Sequence, residues 1–184
     1  MHPLIRVLAS FCLVCLIAGS GASRAADDSS LSSYRLGSGD LISITVFGEE
    51  DLSPQKIRVS DKGTITYPVL GELKLSGLPI KELESMITNG LKGRWLVNPK
   101  VSVTVLEYRQ FYVNGFVEKP GGYPYVPGLN VRKAVSIAGG FKERAAKDKI
   151  FLIEEGDTTH RPKKVGLDVP VNAGDIITVE ESFF

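Results

Sequence analysis

The chain has 184 residues, of which 43% are hydrophobic and 23% charged, with 22 Lys and Arg against 21 Asp and Glu. That is the composition of an ordinary globular chain of one domain or two small ones, which rules out wholesale disorder. The near balance of charge argues against a nucleic-acid partner, because phosphate binding calls for a clear basic excess.

The first element is a leader. His2 and Arg6 precede an apolar run over 7–18, followed by the small residues Gly19, Ser20, Gly21, Ala22 and Ser23, the order of a secretory signal. A spanning helix needs about 20 apolar residues, so this run is too short to remain as an anchor. Ser23 and Ala25 place small residues at the two positions a signal peptidase must fit, which sets cleavage near Ala25 and gives a signal peptide over 1–25. Cys12 and Cys15 both fall within it, so the processed chain carries no thiol and neither disulfides nor thiolate chemistry enter. Val14 is too bulky for the position before a lipid-bearing cysteine. Loss of Arg6 and Arg24 leaves 20 basic against 21 acidic residues. Residues 26–33 are polar and aperiodic, as in a tether.

From Tyr34 the pattern turns β-like. Gly37-Ser38-Gly39-Asp40 is a turn, and Ile42, Ile44 and Val46 then alternate with Ser43 and Thr45, a strand with one buried face. Ile57 and Val59 alternate again, Asp61-Lys62-Gly63 signals a tight turn, and 64–67 resumes the alternation, which predicts a hairpin ended by Pro68. Pro79 opens a helix whose Ile80, Leu83, Ile87 and Leu91 form one apolar stripe, with Gly90 and Gly93 closing it. After Asn98-Pro99, residues 101–105 make another half-buried strand, completing an α+β unit.

A second unit begins near Gln110. Phe111, Val113, Gly115 and Val117 alternate with Tyr112, Asn114 and Phe116 ahead of a Pro120-Gly121-Gly122 turn, and both faces are apolar enough to be covered. Asn130 suits the N-cap of a short helix whose Val131, Ala134, Val135 and Ala138 share a face, and Gly139-Gly140 ends it. Strands follow over 149–154 and, after a polar loop at 156–162 and the turn Ala173-Gly174-Asp175, over 176–180. The two Gly-Asp turns are each followed by an alternating strand. A shared turn-to-strand solution accounts for them without a duplication, since glycine supplies positive φ and aspartate bonds the turn's own amides.

These motifs, in this order, resemble the bacterial outer-membrane polysaccharide export family, in which a polysaccharide export domain precedes a soluble-ligand-binding β-grasp (SLBB) module. The resemblance rests on Tyr34, Leu36, Gly37, Gly39-Asp40, the 61–63 turn, Ile65, Pro68, Gly71, Gly77, Leu83 and residues 98–103, then on 113–117, 120–123, 138–141 and 173–179. It implies an α+β fold with a small β-rich export domain over 34–107 and an SLBB domain over 108–184. It further implies a periplasmic part of a capsular or exopolysaccharide exporter, in which copies associate as a homo-oligomeric ring around the translocating polysaccharide. The partners it implies are an inner-membrane co-polymerase and a separate outer-membrane β-barrel, because nothing after Phe184 could supply the pore-forming helix that some members carry. Ser38 stands where the family often has proline, and the turn remains possible.

No catalytic, metal-binding or cofactor-binding residue is assigned, and the expectation is a non-enzyme. His160, beside Arg161, Lys163 and Lys164, lacks the partners of a metal centre or triad and reads as a solvated loop residue. Gly37-Ser38-Gly39 precedes a strand and lacks the helix of a phosphate loop, and no serine sits in a nucleophile elbow. Glu49, Glu50, Asp51, Glu154 and Glu155 read as solvated loop charges, with no separation fixed for an acid–base pair. Trp95, Tyr108, Tyr112, Tyr123 and Tyr125 combine flat apolar faces with polar edges and are the candidates for polysaccharide or subunit contact. The alternative function is a soluble periplasmic module that binds a carbohydrate or other ligand.

Overall fold

The structure, a computed structural model, describes residues 34–182. The leader with Cys12 and Cys15, the cleavage position at Ala25 and the tether lie outside the described residues.

Strand β1 (Leu41–Val46) buries Ile42, Ile44 and Val46, the alternation the sequence displays. It is the centre of a three-stranded antiparallel sheet, flanked by β2 (Ile57–Arg58) and β5 (Val101–Glu107). β3 (Thr64–Tyr67) and β4 (Gly71–Lys74) form a separate two-stranded sheet. Helix α1 (Ile80–Leu91) packs on β5 and buries Leu83, Ile87 and Leu91 completely, as its stripe predicts.

Two expectations for this part change. The 60–64 turn exists, with the Ser60 N–H donating to the Thr64 carbonyl at 2.9 Å, but it does not join a hairpin: β2 pairs with β1 and β3 pairs with β4. The two-residue β2 spends its ladder on β1, which leaves β3 to find its partner across the 68–70 turn. Gly90 lies inside α1, where a Cβ would come within 2.9 Å of Leu70 Cδ1, so it admits Leu70 and does not stop the helix. The stop falls to Gly93, at φ +82°.

The remaining strands, β6 (Gln110–Gly115), β7 (Gly121–Pro124), β8 (Ala145–Ile153), β9 (Lys163–Val165) and β10 (Ile176–Glu181), make one five-stranded sheet in the order β7-β6-β10-β8-β9. β6 and β10 run parallel at its centre and the other pairs are antiparallel. Helix α2 (Val131–Ile137) is capped by Asn130, whose side chain accepts from the Lys133 N–H at 2.9 Å, and it adds Val131, Ala134 and Val135 to the core with Phe111, Val113, Ile150, Leu152, Ile177 and Val179. Only one face of β6 is covered, against expectation: Phe111 and Val113 are buried while Tyr112 and Asn114 are exposed. Gly121 and Gly122 lie in β7 and not in the turn, and a Cβ at Gly122 would meet the Tyr112 ring. The whole is α+β, as the sequence predicts.

Candidate functional site

Because β5 runs antiparallel to β1, its end returns beside the start of β1, and Arg109, two residues past β5, meets Asp40, one residue before β1. The Asp40 side chain is fully buried. Its Oδ1 accepts the Arg109 backbone N–H and its Oδ2 the Gly37 N–H, both at 2.9 Å. The Tyr34 hydroxyl lies 2.8 and 2.7 Å from the two oxygens and donates to one of them. The same arrangement recurs in the five-stranded sheet. Asp175 precedes β10, which pairs antiparallel with β8; its Oδ1 accepts the N–H of Glu155, two residues past β8, at 3.1 Å, and its Oδ2 the Asn172 N–H at 2.8 Å. The glycines before the two aspartates sit at φ +93° and +89°. The two Gly-Asp turns are one solution used twice, and each aspartate clamps the far end of its antiparallel neighbour.

The two clamped residues then join each other. Arg109 Nε donates to Glu155 Oε2 at 2.7 Å and Nη2 donates to the same oxygen, while Nη1 lies 3.2 Å from Asp40 Oδ2 and 2.8 Å from the Tyr34 hydroxyl. The guanidinium thus ties the sheet of β1 to the sheet of β10 through charge-assisted bonds. It lies against Gly37, where a Cβ would approach Arg109 Cζ to 2.7 Å, and the Glu155 carboxylate lies against Gly174, where a Cβ would come within 2.3 Å of Cδ. Burial disfavours the Arg109 charge, yet the bond to Glu155 and the field of Tyr34, Asp40 and Glu155 outweigh it and raise its pKa. Burial, with the hydrogen bond to Asp40, pushes the Tyr34 phenol well above its ordinary range, and burial raises the Asp175 carboxyl against the pull of its two amide donors.

Beside this junction runs a groove of about 530 Å³, lined by Arg35, Ser38, Ser76, Glu154, Glu155 and Asn172 among others. Its size falls within the ~300–1,000 Å³ of small-molecule sites, and guanidinium, carboxylate and hydroxyl groups suit a hydroxyl-rich ligand.

The five aromatic candidates separate. Tyr108 and Tyr125 join Tyr34 in a cluster that spans the junction, with ring centroids 4.7 Å (Tyr34–Tyr108), 5.9 Å (Tyr34–Tyr125) and 5.5 Å (Tyr108–Tyr125) apart. Tyr123 packs on Phe111 at 5.9 Å and donates to the Lys119 carbonyl. Trp95 and Tyr112 are exposed and lie apart from the cluster, on the loop after α1 and on β6. His160 is an exposed loop residue, and among the described residues no group of three or more His, Cys, Asp or Glu is placed to hold a metal. No helix among them is long and apolar enough to cross a membrane. Sequence reasoning missed the Arg109 junction. Its one legible trace was the doubled Gly-Asp, which reads as a turn and not as a clamp.

Fold and junction together define a two-part β-rich scaffold, an α+β unit fastened to a mixed five-stranded sheet with a parallel central pair. Residues 28–106 match the family described as "Polysaccharide biosynthesis/export protein", and residues 110–161 match the SLBB domain. The chain belongs to the outer-membrane polysaccharide export family. It is 34% identical over 157 residues to "Exopolysaccharide production protein ExoF" of Rhizobium meliloti (strain 1021), a match covering 75% of this chain and 36% of the relative. It is 28% identical over 182 residues to "EPS I polysaccharide export outer membrane protein EpsA" of Ralstonia nicotianae (strain ATCC BAA-1114 / GMI1000), covering 80% and 47%, and 28% identical over 126 residues to "Polysialic acid transport protein KpsD" of Escherichia coli, covering 67% and 22%. The chain spans less than half the length of each of these curated relatives.

Proposed function

We propose that this chain is a non-catalytic component of a machine that exports capsular polysaccharide or exopolysaccharide, acting in the periplasm after removal of residues 1–25. The observation that carries the proposal is the succession of an export domain and an SLBB domain in a chain whose relatives are named for exopolysaccharide production, polysaccharide export and polysialic acid transport. The division falls between Glu107 and Tyr108, where the last strand of one unit gives way to a two-residue link. Copies associate head to tail and close into a ring or conduit, since heterologous contacts close when their rotation does. An inner-membrane co-polymerase and a separate outer-membrane barrel complete the path. The lumen holds polymer weakly, because a chain bound tightly at every site would not move.

A deletion strain tests this. Polymer should accumulate inside the envelope while synthesis continues; an unchanged surface coat would count against export. The groove beside Arg109 favours a second reading, a carbohydrate-binding module, which a monomer saturating with oligosaccharide would support.

A further inference from the structure

The loop joining α1 to β5 displays apolar side chains that the fold leaves uncovered. Val97 is 92% exposed, Trp95 is 47% exposed, and Phe47, whose N–H donates to the Lys100 carbonyl at 3.0 Å, emerges beside the loop's end at 66%. This exposure is built in. The Trp95 and Leu96 N–H groups both donate to the Leu91 carbonyl, at 3.1 and 3.0 Å, and the Gly93 N–H donates to Leu96 at 2.8 Å. Leu96 therefore turns inward against the core, Pro99 is buried, and Trp95 and Val97 are held outward between them.

Along the loop itself the charge has one sign. Lys92, Arg94 and Lys100 are exposed, no acidic residue occurs over 92–100, and the Arg94 guanidinium stands over the Trp95 ring at 5.6 Å. We propose that this loop is a membrane-contact element, in which Trp95 and Val97 enter the headgroup boundary of a phospholipid surface while Lys92, Arg94 and Lys100 meet its anionic headgroups. Charge complementarity and shape choose this occupant. Tryptophan settles at such boundaries because its ring is apolar and its N–H polar, and cations beside it are drawn to a negative leaflet. A few apolar side chains raised on a short basic loop form a wedge, whereas a stable protein interface needs a broad face of about 800 Å² on each partner. Glu49, Glu50 and Asp51 follow Phe47 after Gly48, so Phe47 marks the edge of the contact and not its centre. The inference stands apart from the export reading, since it needs neither a ring nor a polymer.

Trp95 is the chain's one tryptophan, so its fluorescence reports on this loop alone. The protein in its exported form is mixed with vesicles of phosphatidylethanolamine and phosphatidylglycerol, and separately with phosphatidylcholine vesicles. On the anionic vesicles the Trp95 emission should shift to the blue and the protein should float with the lipid, with binding weakened by salt. Val97→Asp and Arg94→Glu should each weaken it about tenfold, with the thermal melting curve unchanged, as substitution of exposed loop residues allows. Absence of binding, equal binding to the phosphatidylcholine vesicles, or binding that Val97→Asp leaves intact would overturn the proposal. So would a blue shift that appears without lipid as protein concentration rises, which would give the loop to a second copy.

Discussion

Asp40 and Asp175 are the two buried charged residues among those described, and they occupy equivalent places. Each spends its carboxylate on backbone amides of a turn and of a neighbouring strand's end, but only Asp40 has a cation against it. Asp175 has Glu154 and Glu155 near it instead, and desolvation together with these charges raises its pKa despite the two N–H donors. A carboxyl whose folded value lies above the unfolded one, about 3.9, binds its proton more readily in the native state, so the protein gains nothing from ionising it. Between those two values stability must fall as pH rises, and below the unfolded value the penalty is gone. Denaturant unfolding across the acid range, for the protein and for Asp175→Asn, should show the difference between the two changing in this sense: the parent loses ground to the variant as pH climbs through the raised value. The lost acceptor in the variant adds a pH-independent offset, so only the slope matters. A difference that stays flat with pH would refute the assignment.

At the scale of elements, the Gly-Asp-strand unit makes two glycines unequal. Gly39 and Gly174 share a positive φ that costs a side chain roughly 1–3 kcal/mol. A Cβ at Gly39 would meet nothing closer than Arg109 Cβ at 3.7 Å, whereas at Gly174 it would lie 2.3 Å from the Glu155 carboxyl carbon. Gly174→Ala should therefore cost more stability than Gly39→Ala, because it also displaces the Glu155 side chain from Arg109; comparison of unfolding midpoints measures this, and equal losses would contradict it. The elements themselves were largely legible. β1, β5, β10 and α1 each bury one side, and one-sided burial is what a period of two or of 3.6 records. The partner of β3 was not legible, since Gly71-Glu72-Leu73-Lys74 carries a single apolar residue and pairing is decided by the turn geometry and by what β1 leaves free. Nor was the junction: Asp40 and Arg109 are 69 positions apart, and Arg109 sits in a Tyr-Arg link with no periodicity to mark it. The doubled Gly-Asp could be read as a turn because the bond of each carboxylate within its own turn is short-range, while its bond to Arg109 or Glu155 depends on the strand that returns beside it.

For the whole molecule, the decisive quantity is how firmly the two sheets are held to each other. The link between β5 and β6 is two residues long, so the angle between the units is set by what packs across it: the Tyr34–Tyr108–Tyr125 cluster and the Arg109 guanidinium, 14% exposed, between a fully buried Asp40 and a half-exposed Glu155. Arg109→Met keeps the stem and the backbone N–H that Asp40 accepts but removes the charge from both carboxylates. Breaking a buried pair by deleting one partner costs about 3–5 kcal/mol, because the remaining charge stays out of water uncompensated. That loss falls at the junction and not in either core, so calorimetry should change from one cooperative transition to two, with calorimetric enthalpy exceeding the van't Hoff value. Glu155→Gln is the matched control. It leaves an uncharged acceptor at the solvent end of the fork, where a bond is worth about 1 kcal/mol, and should keep the single transition at a slightly lower midpoint. If Arg109→Met instead melts once at the parent's midpoint, the sheets are held by the tyrosines alone. If the two transitions do appear, the same variant should also lose the ring assembly proposed above, since a head-to-tail contact repeats any error in the angle between units at every copy and the circle would no longer close.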